Sequence, residues 1–217
     1  MELKTFAAHN CITLEIGLRG IIPKNLETYI EISHQLDVRL LRCVIDAPGF
    51  TPEFSQIHTI LNQFLPLLKE HNIVLGIENH DRFTTAEFAE VIEKLDDPHY
   101  GIVLDTVNSL ANEESVEQVL NNLARYTVCF HVKDYQIVRN PYGMGLLVTG
   151  TPSGKGRLDI KSIIERLRND AQQDFSTIIE LWMDREHTEG ESLHKEEVWA
   201  KESISYMKEV FAILPNS

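Results

Sequence analysis

The sequence contains no run of about 18 apolar residues, so no helical membrane span is expected. Residues Met1 to Cys11 lack a basic start followed by an apolar stretch, and no signal peptide is read there. Cysteine is scarce. Cys11, Cys43 and Cys129 are odd in number and widely spaced, without a CxxC pair. That pattern excludes a disulfide framework and a thiolate zinc site, and it reads as reduced core thiols in a cytoplasmic protein. Positive charge is also in short supply, with 20 basic residues against 33 acidic ones and a net charge of −13. Such a surface repels phosphate backbones, so neither nucleic acid nor an anionic membrane is an expected partner. No low-complexity linker or charge block divides the 217 residues. One domain spanning 1–217 is the expectation, and its 43% hydrophobic content suffices for a packed core.

What the chain does contain is an alternation of strand-like and helix-like stretches. The strand candidates are 12–18, 39–45, 73–78, 101–105, 127–132 and 177–181, most of them short and nearly continuously apolar, as parallel strands buried on both faces are. Between them, Thr84 and Glu87 offer a capping box ahead of Phe88, Val91, Ile92 and Leu95. Ser115 with Gln118 repeats the device, and Asp159 is positioned to cap a helix carrying Ile160, Ile163, Ile164 and Leu167. Pro23 and Pro52 fall where first-turn prolines are tolerated, and Pro66 is placed to kink its helix. Residues 135–157, rich in Gly and Pro, form a long irregular segment that reads as a lid over a site. Repeated βα units imply a parallel sheet, either open or closed as a barrel.

Chemistry gathers at one place in each unit, the C-terminal end of the strand. There the sequence presents Glu78, Asp105, His131 and Glu180 in succession. In α/β barrels and open sheets alike, that edge is where active sites are built. Three carboxylates converging on one mouth repel one another unless a cation sits among them. Mostly oxygen ligands with one imidazole suit Mn2+ first, with Mg2+, Co2+ or Zn2+ as alternatives.

The motifs ENHD (78–81), DTVN (105–108), HVKD (131–134), GKG (154–156) and IIELW (178–182) resemble, in order and spacing, the sugar-phosphate isomerase/epimerase family, the xylose isomerase-like TIM barrels. The resemblance implies a metal held by Glu78, Asp105, His131 and Glu180, with the two glutamates exchanging protons with a substrate carbon. It implies a divalent-metal-dependent isomerase or epimerase of a small sugar, sugar phosphate or keto-sugar. The family often has a second His where this chain has Asn108, which can bond a substrate hydroxyl but cannot relay a proton. Lys133 points the same way as His131 and either binds a substrate oxygen or pairs with Asp134. His80, Arg42 and Arg139 complete the substrate-binding candidates, and Trp182 either stacks on a sugar face or fills the core.

In the family the four ligand strands resemble strands five to eight. Counted backwards, this chain supplies strands three and four but not the first two βα units. The expectation is therefore a six-strand, N-terminally short barrel whose gap a second subunit covers in a homodimer. Alternatives on the same scaffold are a metal-dependent dehydratase of inosose or dehydroshikimate type and a non-catalytic remnant. An apurinic-site endonuclease is disfavoured by the net charge of −13.

Overall fold

Short β-branched runs separated by amphipathic helices form parallel strands, because each helix carries the chain back to the same end of the sheet. In the computed structural model, which describes residues 2–214, the chain runs α1 (Glu2–His9), β1 (Ile16–Arg19), α2 (Pro23–Leu36), β2 (Leu40–Val44), α3 (Phe54–Asn62), α4 (Leu65–His71), β3 (Val74–Glu78), α5 (Thr85–Leu95) and β4 (Tyr100–Asp105). It continues through α6 (Val116–Leu123), β5 (Thr127–Val132), β6 (Tyr135–Arg139), β7 (Leu146–Gly150), α7 (Ile160–Asp170), β8 (Ser176–Ile179) and α8 (Glu189–Ile213). Six strands pair in parallel in the order β1-β2-β3-β4-β5-β8. Among the described residues no ladder joins β1 to β8, so the sheet is a curved partial barrel, the expected architecture. Its open edge leaves a mark: Ile178 of β8 is 37% exposed, whereas β4 and β5 are buried throughout. Among the described residues no helix is long and apolar enough to cross a membrane.

Strand alternation sorts the core into two parts. Leu41, Cys43, Leu75, Ile77, Ile102, Leu104 and Phe130 face the helices and belong to the large cluster. Leu40, Val103, Val128 and Cys129, with Val74 against them, form a small separate cluster. The register pairs Leu40 with Val74, so this cluster lies on the opposite, inner face, below the mouth where the polar strand ends collect.

The caps follow the sequence closely. Thr84 and Glu87 form a reciprocal capping box. Ser115 accepts from the Gln118 N–H, and Asp159 accepts from the Ser162 N–H. Pro66 does more than kink a helix. The chain breaks into α3 and α4, with Pro66 in the first turn of the second. Pro52 lies outside α3, whose N-cap is Glu53. Cys11 is exposed at a turn with φ 55°, so only Cys43 and Cys129 are core thiols.

The segment 135–157 is not irregular. Its first half is an antiparallel ribbon in which Tyr135 pairs with Gly150 and Arg139 with Leu146. Two apolar runs, QIVR and LLVT, flank a Pro- and Gly-bearing loop, which is a hairpin signal that the glycine count obscures. The second half is fastened by Asp134. Its buried carboxylate accepts from four backbone N–H groups: Tyr135 at 2.8 Å, Gly154 and Gly156 at 2.9 Å, and Leu158 at 3.2 Å. A Cβ on residue 156 would overlap this carboxylate, which accounts for the glycine.

Candidate metal centre

β3 ends on Glu78, β4 ends on Asp105, and His131 is the penultimate residue of β5. Glu180 follows β8 and extends its ladder by one bond, its N–H donating to the Val132 carbonyl at 3.0 Å. The register pairs Glu78 with Val103, Asp105 with His131, and His131 with Ile178. With side chains alternating along each strand, those pairings put all four polar residues on the inner face. One ligand atom from each lies within 4.8 Å of the others. A divalent ion with bonds of about 2.0–2.2 Å sets its donors about 3 to 4.4 Å apart, so this spacing fits one with little adjustment. Three carboxylate oxygens and an imidazole nitrogen are also the donor chemistry such an ion takes.

Cations already neutralise these acids. Arg42 donates to Glu78 Oε2 at 2.7 Å, and Asn108 donates to Glu78 Oε1 at 3.2 Å. The guanidinium also lies against Gly17 of β1, the register partner of Arg42, which has no side chain to block it. A Cβ there would sit 2.8 Å from the guanidinium. Asp105 is fully buried. Its Oδ1 accepts from the N–H groups of Val107 and Asn108, which leaves Oδ2 for Lys133 at 3.1 Å. Burial pushes the Asp105 carboxyl above its ordinary range despite the Lys133 charge. Lys133 also reaches Glu180 Oε1 at 3.3 Å and Asn108 Oδ1 at 3.1 Å. The pairing of Lys133 with Asp134 does not form, since Asp134 turns to the loop backbone instead.

His131 Nδ1 lies 2.9 Å from Glu180 Oε2. Burial alone would lower the His131 pKa, yet Cys129, Glu180 and the Glu78 charge push it up to about 10. The same bond from His131, with Lys133 beside it, holds Glu180 down to about 2 against its own partial burial. Without a metal the two are a locked ion pair.

Two residues that sequence reasoning did not single out support this arrangement. Asn79, fully buried, accepts from the Asp105 N–H at 2.8 Å and donates to the Asp105 carbonyl at 2.6 Å, fixing one ligand strand end against the next. Asp134 anchors the loop that follows Lys133. Both sit inside the motifs ENHD and HVKD, but their partners are backbone groups that no local pattern reveals. Arg139 is brought to no ligand. It lies exposed at the far end of the ribbon, beside the turn, and joins none of the site's hydrogen bonds.

A cavity of about 440 Å3 opens beside the ligands. Lys133 and Asn108 line it on the side of the acid cluster, and His80 and Asp81, bonded to each other at 2.5 Å, also border it. Val107, Leu110 and Ala111 supply apolar wall, Val148 of the ribbon reaches it, and Trp182 lines it 5.8 Å from the Lys133 ammonium. The ribbon therefore contributes to the cavity as a lid does. A larger groove of about 790 Å3 along α7, β8 and α8 lies away from the acid cluster.

A parallel βα sheet with an acid-rich, single-histidine cluster at its C-terminal edge is a barrel-type protein with a candidate divalent-metal centre. Residues 20–210 match the sequence profile of the xylose isomerase-like TIM barrels, and the chain belongs to that family. It is 28% identical over 206 residues to 3-oxo-isoapionate decarboxylase of Pectobacterium atrosepticum, a match spanning 95% of this chain and 74% of that protein. Among solved structures it resembles D-psicose 3-epimerase from Clostridium cellulolyticum with a TM-score of 0.72 at 17% identity, covering 99% of this chain and 83% of the other. A xylose isomerase-like barrel from Mycobacterium smegmatis, solved with magnesium, aligns with a TM-score of 0.67 at 12% identity over 94% of this chain and 77% of that one.

Proposed function

We propose that the chain is a divalent-metal-dependent isomerase or epimerase acting on a small sugar, sugar phosphate or keto-sugar by proton transfer at a carbon next to a carbonyl. The observation that carries this reading is the convergence of Glu78, Asp105, His131 and Glu180 within 4.8 Å beside a cavity of sugar size. These four residues would hold the ion, Mn2+ being the best match to three oxygens and one nitrogen, with Mg2+, Co2+ or Zn2+ as alternatives. When bound, it supplies the positive charge that polarises a substrate carbonyl and acidifies the neighbouring C–H bond. Glu78 and Glu180 come from strands separated by β4 and β5, so they approach a substrate from different sides and act as base and acid. Arg42 holds Glu78 in place through its hydrogen bond to Oε2. Asn108 and Lys133 bind substrate oxygens, and His80 borders the same space. Val148 and Trp182 shed water from the cavity.

The test is deuterium incorporation from D2O into ketose substrates with Mn2+, compared with enzyme stripped by EDTA. Metal-dependent exchange supports the proposal, and its absence across C4–C6 ketoses, their phosphates and the corresponding keto-acids rejects it. A second reading, decarboxylation of a 3-oxo sugar acid, is favoured by the Pectobacterium relative. Both reactions move an electron pair toward the same carbonyl oxygen. They differ in what leaves the neighbouring carbon, a proton or CO2, and measuring CO2 release separates them.

One main hydrophobic cluster joins residues from Leu18 to Leu214, which supports a single domain. We also propose that a second copy covers the gap between β1 and β8. Light scattering on the eluting protein would then give twice the 24.8 kDa chain mass, and a stable, active monomer would reject the dimer. The free thiols are in keeping with a cytoplasmic protein.

A further inference from the structure

We propose that the substrate carries a carboxylate and that Lys133 holds it, an inference that rests on the metal-dependent reading above. An ammonium group has three donors. In Lys133 they go to Asp105 Oδ2 at 3.1 Å, Asn108 Oδ1 at 3.1 Å and Glu180 Oε1 at 3.3 Å. Two of those acceptors belong to the metal-ligand set. A divalent ion drawn to the same carboxylates meets their charge and repels an ammonium sharing their oxygens. Two donors on a side chain only 13% exposed are then left seeking acceptors, and leaving them unpaired is costly. The open space that Lys133 lines is the 440 Å3 cavity.

Charge balance narrows the acceptor. With His131 neutral as a ligand, three ligand carboxylates set against Arg42 and Lys133 leave one negative charge, which a divalent ion turns into one positive charge. A neutral ketose leaves that charge uncompensated, and a carboxylate cancels it. A phosphate dianion overshoots, with Lys133 the one cationic side chain lining the cavity among the described residues. The walls formed by Val107, Leu110, Val148 and Trp182 are apolar, which strengthens a charge pair inside them. The other acid bordering the cavity is Asp81. It is paired with His80 and its side chain is 63% exposed, so its repulsion is largely screened.

A matched pair of probes tests this. 2-Keto-D-gluconate and D-fructose share a carbon skeleton and differ in having a carboxylate or a hydroxymethyl group at C-1. Mn2+ binding is titrated first, and each probe is then titrated calorimetrically into the Mn2+-loaded protein. The acid is expected to bind at least about tenfold more tightly than the ketose, the worth of one hydrogen bond to a charged group. Lys133→Met should erase that margin, weakening 2-keto-D-gluconate far more than D-fructose, and Lys133→Arg should keep most of it. Equal or tighter binding of D-fructose overturns the inference. So does a Lys133→Met protein that weakens on both probes alike, or wild type that binds Mn2+ but neither probe. Wild type that binds no Mn2+ overturns the metal-dependent reading and this inference with it.

Discussion

His131 Nδ1 lies 2.9 Å from Glu180 Oε2, a bond that joins Cys129 and the Glu78 charge in raising His131 to about 10 and, with Lys133, holds Glu180 at about 2. Each partner keeps the other charged, so the metal-free centre carries an imidazolium across the whole neutral range. A metal ligand must be a neutral imidazole, and binding therefore expels that proton. One proton should be released per ion bound. Affinity should rise about tenfold per pH unit through neutrality and level off near the His131 pKa of about 10. Calorimetry in buffers of different ionisation heats counts the proton, and affinity that does not change with pH would contradict the assignment. The sign for the metal-free fold is the opposite. A histidine raised above its ordinary 6.5 stabilises fully below that value, and its support is lost as pH rises through about 10. A glutamate lowered from 4.5 stabilises above that value, and its support is lost as pH falls through about 2.

On the proposed function, Glu180→Gln removes a metal ligand and one of the two proton-transferring groups, while keeping the side chain's shape. Glu180 lies just beyond the open-edge strand and is 37% exposed on its side chain, so the fold should persist with unchanged circular dichroism. Carbon–hydrogen exchange measured in D2O should fall by about 100-fold or more. Retained exchange would remove Glu180 from the chemistry.

Asp134→Asn places an amide where two or more backbone N–H groups point, exchanging acceptor capacity for a donor. The expected loss is about 1–3 kcal/mol of stability, read from denaturant unfolding. Limited proteolysis should cut first in 150–158, which the carboxylate fastens. Mn2+ affinity should change only a few-fold, since Asp134 touches no ligand. A large loss of metal binding would show that the loop anchors the centre as well.

Val148→Ala opens the apolar wall that the ribbon contributes to the cavity. Its predicted signature is a several-fold rise in KM with metal affinity unchanged, measured by steady-state kinetics and Mn2+ titration. Unchanged kinetics would remove the ribbon from substrate enclosure.

Much of this centre was legible because each ligand ends an apolar run, and a buried parallel strand leaves its polar residue only at the mouth. Alternation also placed Lys133 beside His131 correctly. What stayed hidden depends on contacts distant in sequence. Asn79 satisfies Asp105 through backbone groups 26 residues away, and Asp134 reaches glycines 20 and 22 residues on. The ribbon was masked by its glycine-rich neighbours. The α1 helix gave no signal, its apolar Leu3 and Phe6 lying exposed with only Ala7 buried. Arg139 stands exposed on the ribbon, apart from the acid cluster, a position its charge type could not show.

The most direct test of the central claim is a crystal structure of the protein soaked with Mn2+, with the ion located by its anomalous scattering. One ion should be held jointly by Glu78, Asp105, His131 and Glu180, at about 2.0–2.2 Å from each donor, with Lys133 turned toward the cavity. An ion bound elsewhere, or a centre in which any of the four stands clear of it, would contradict the account.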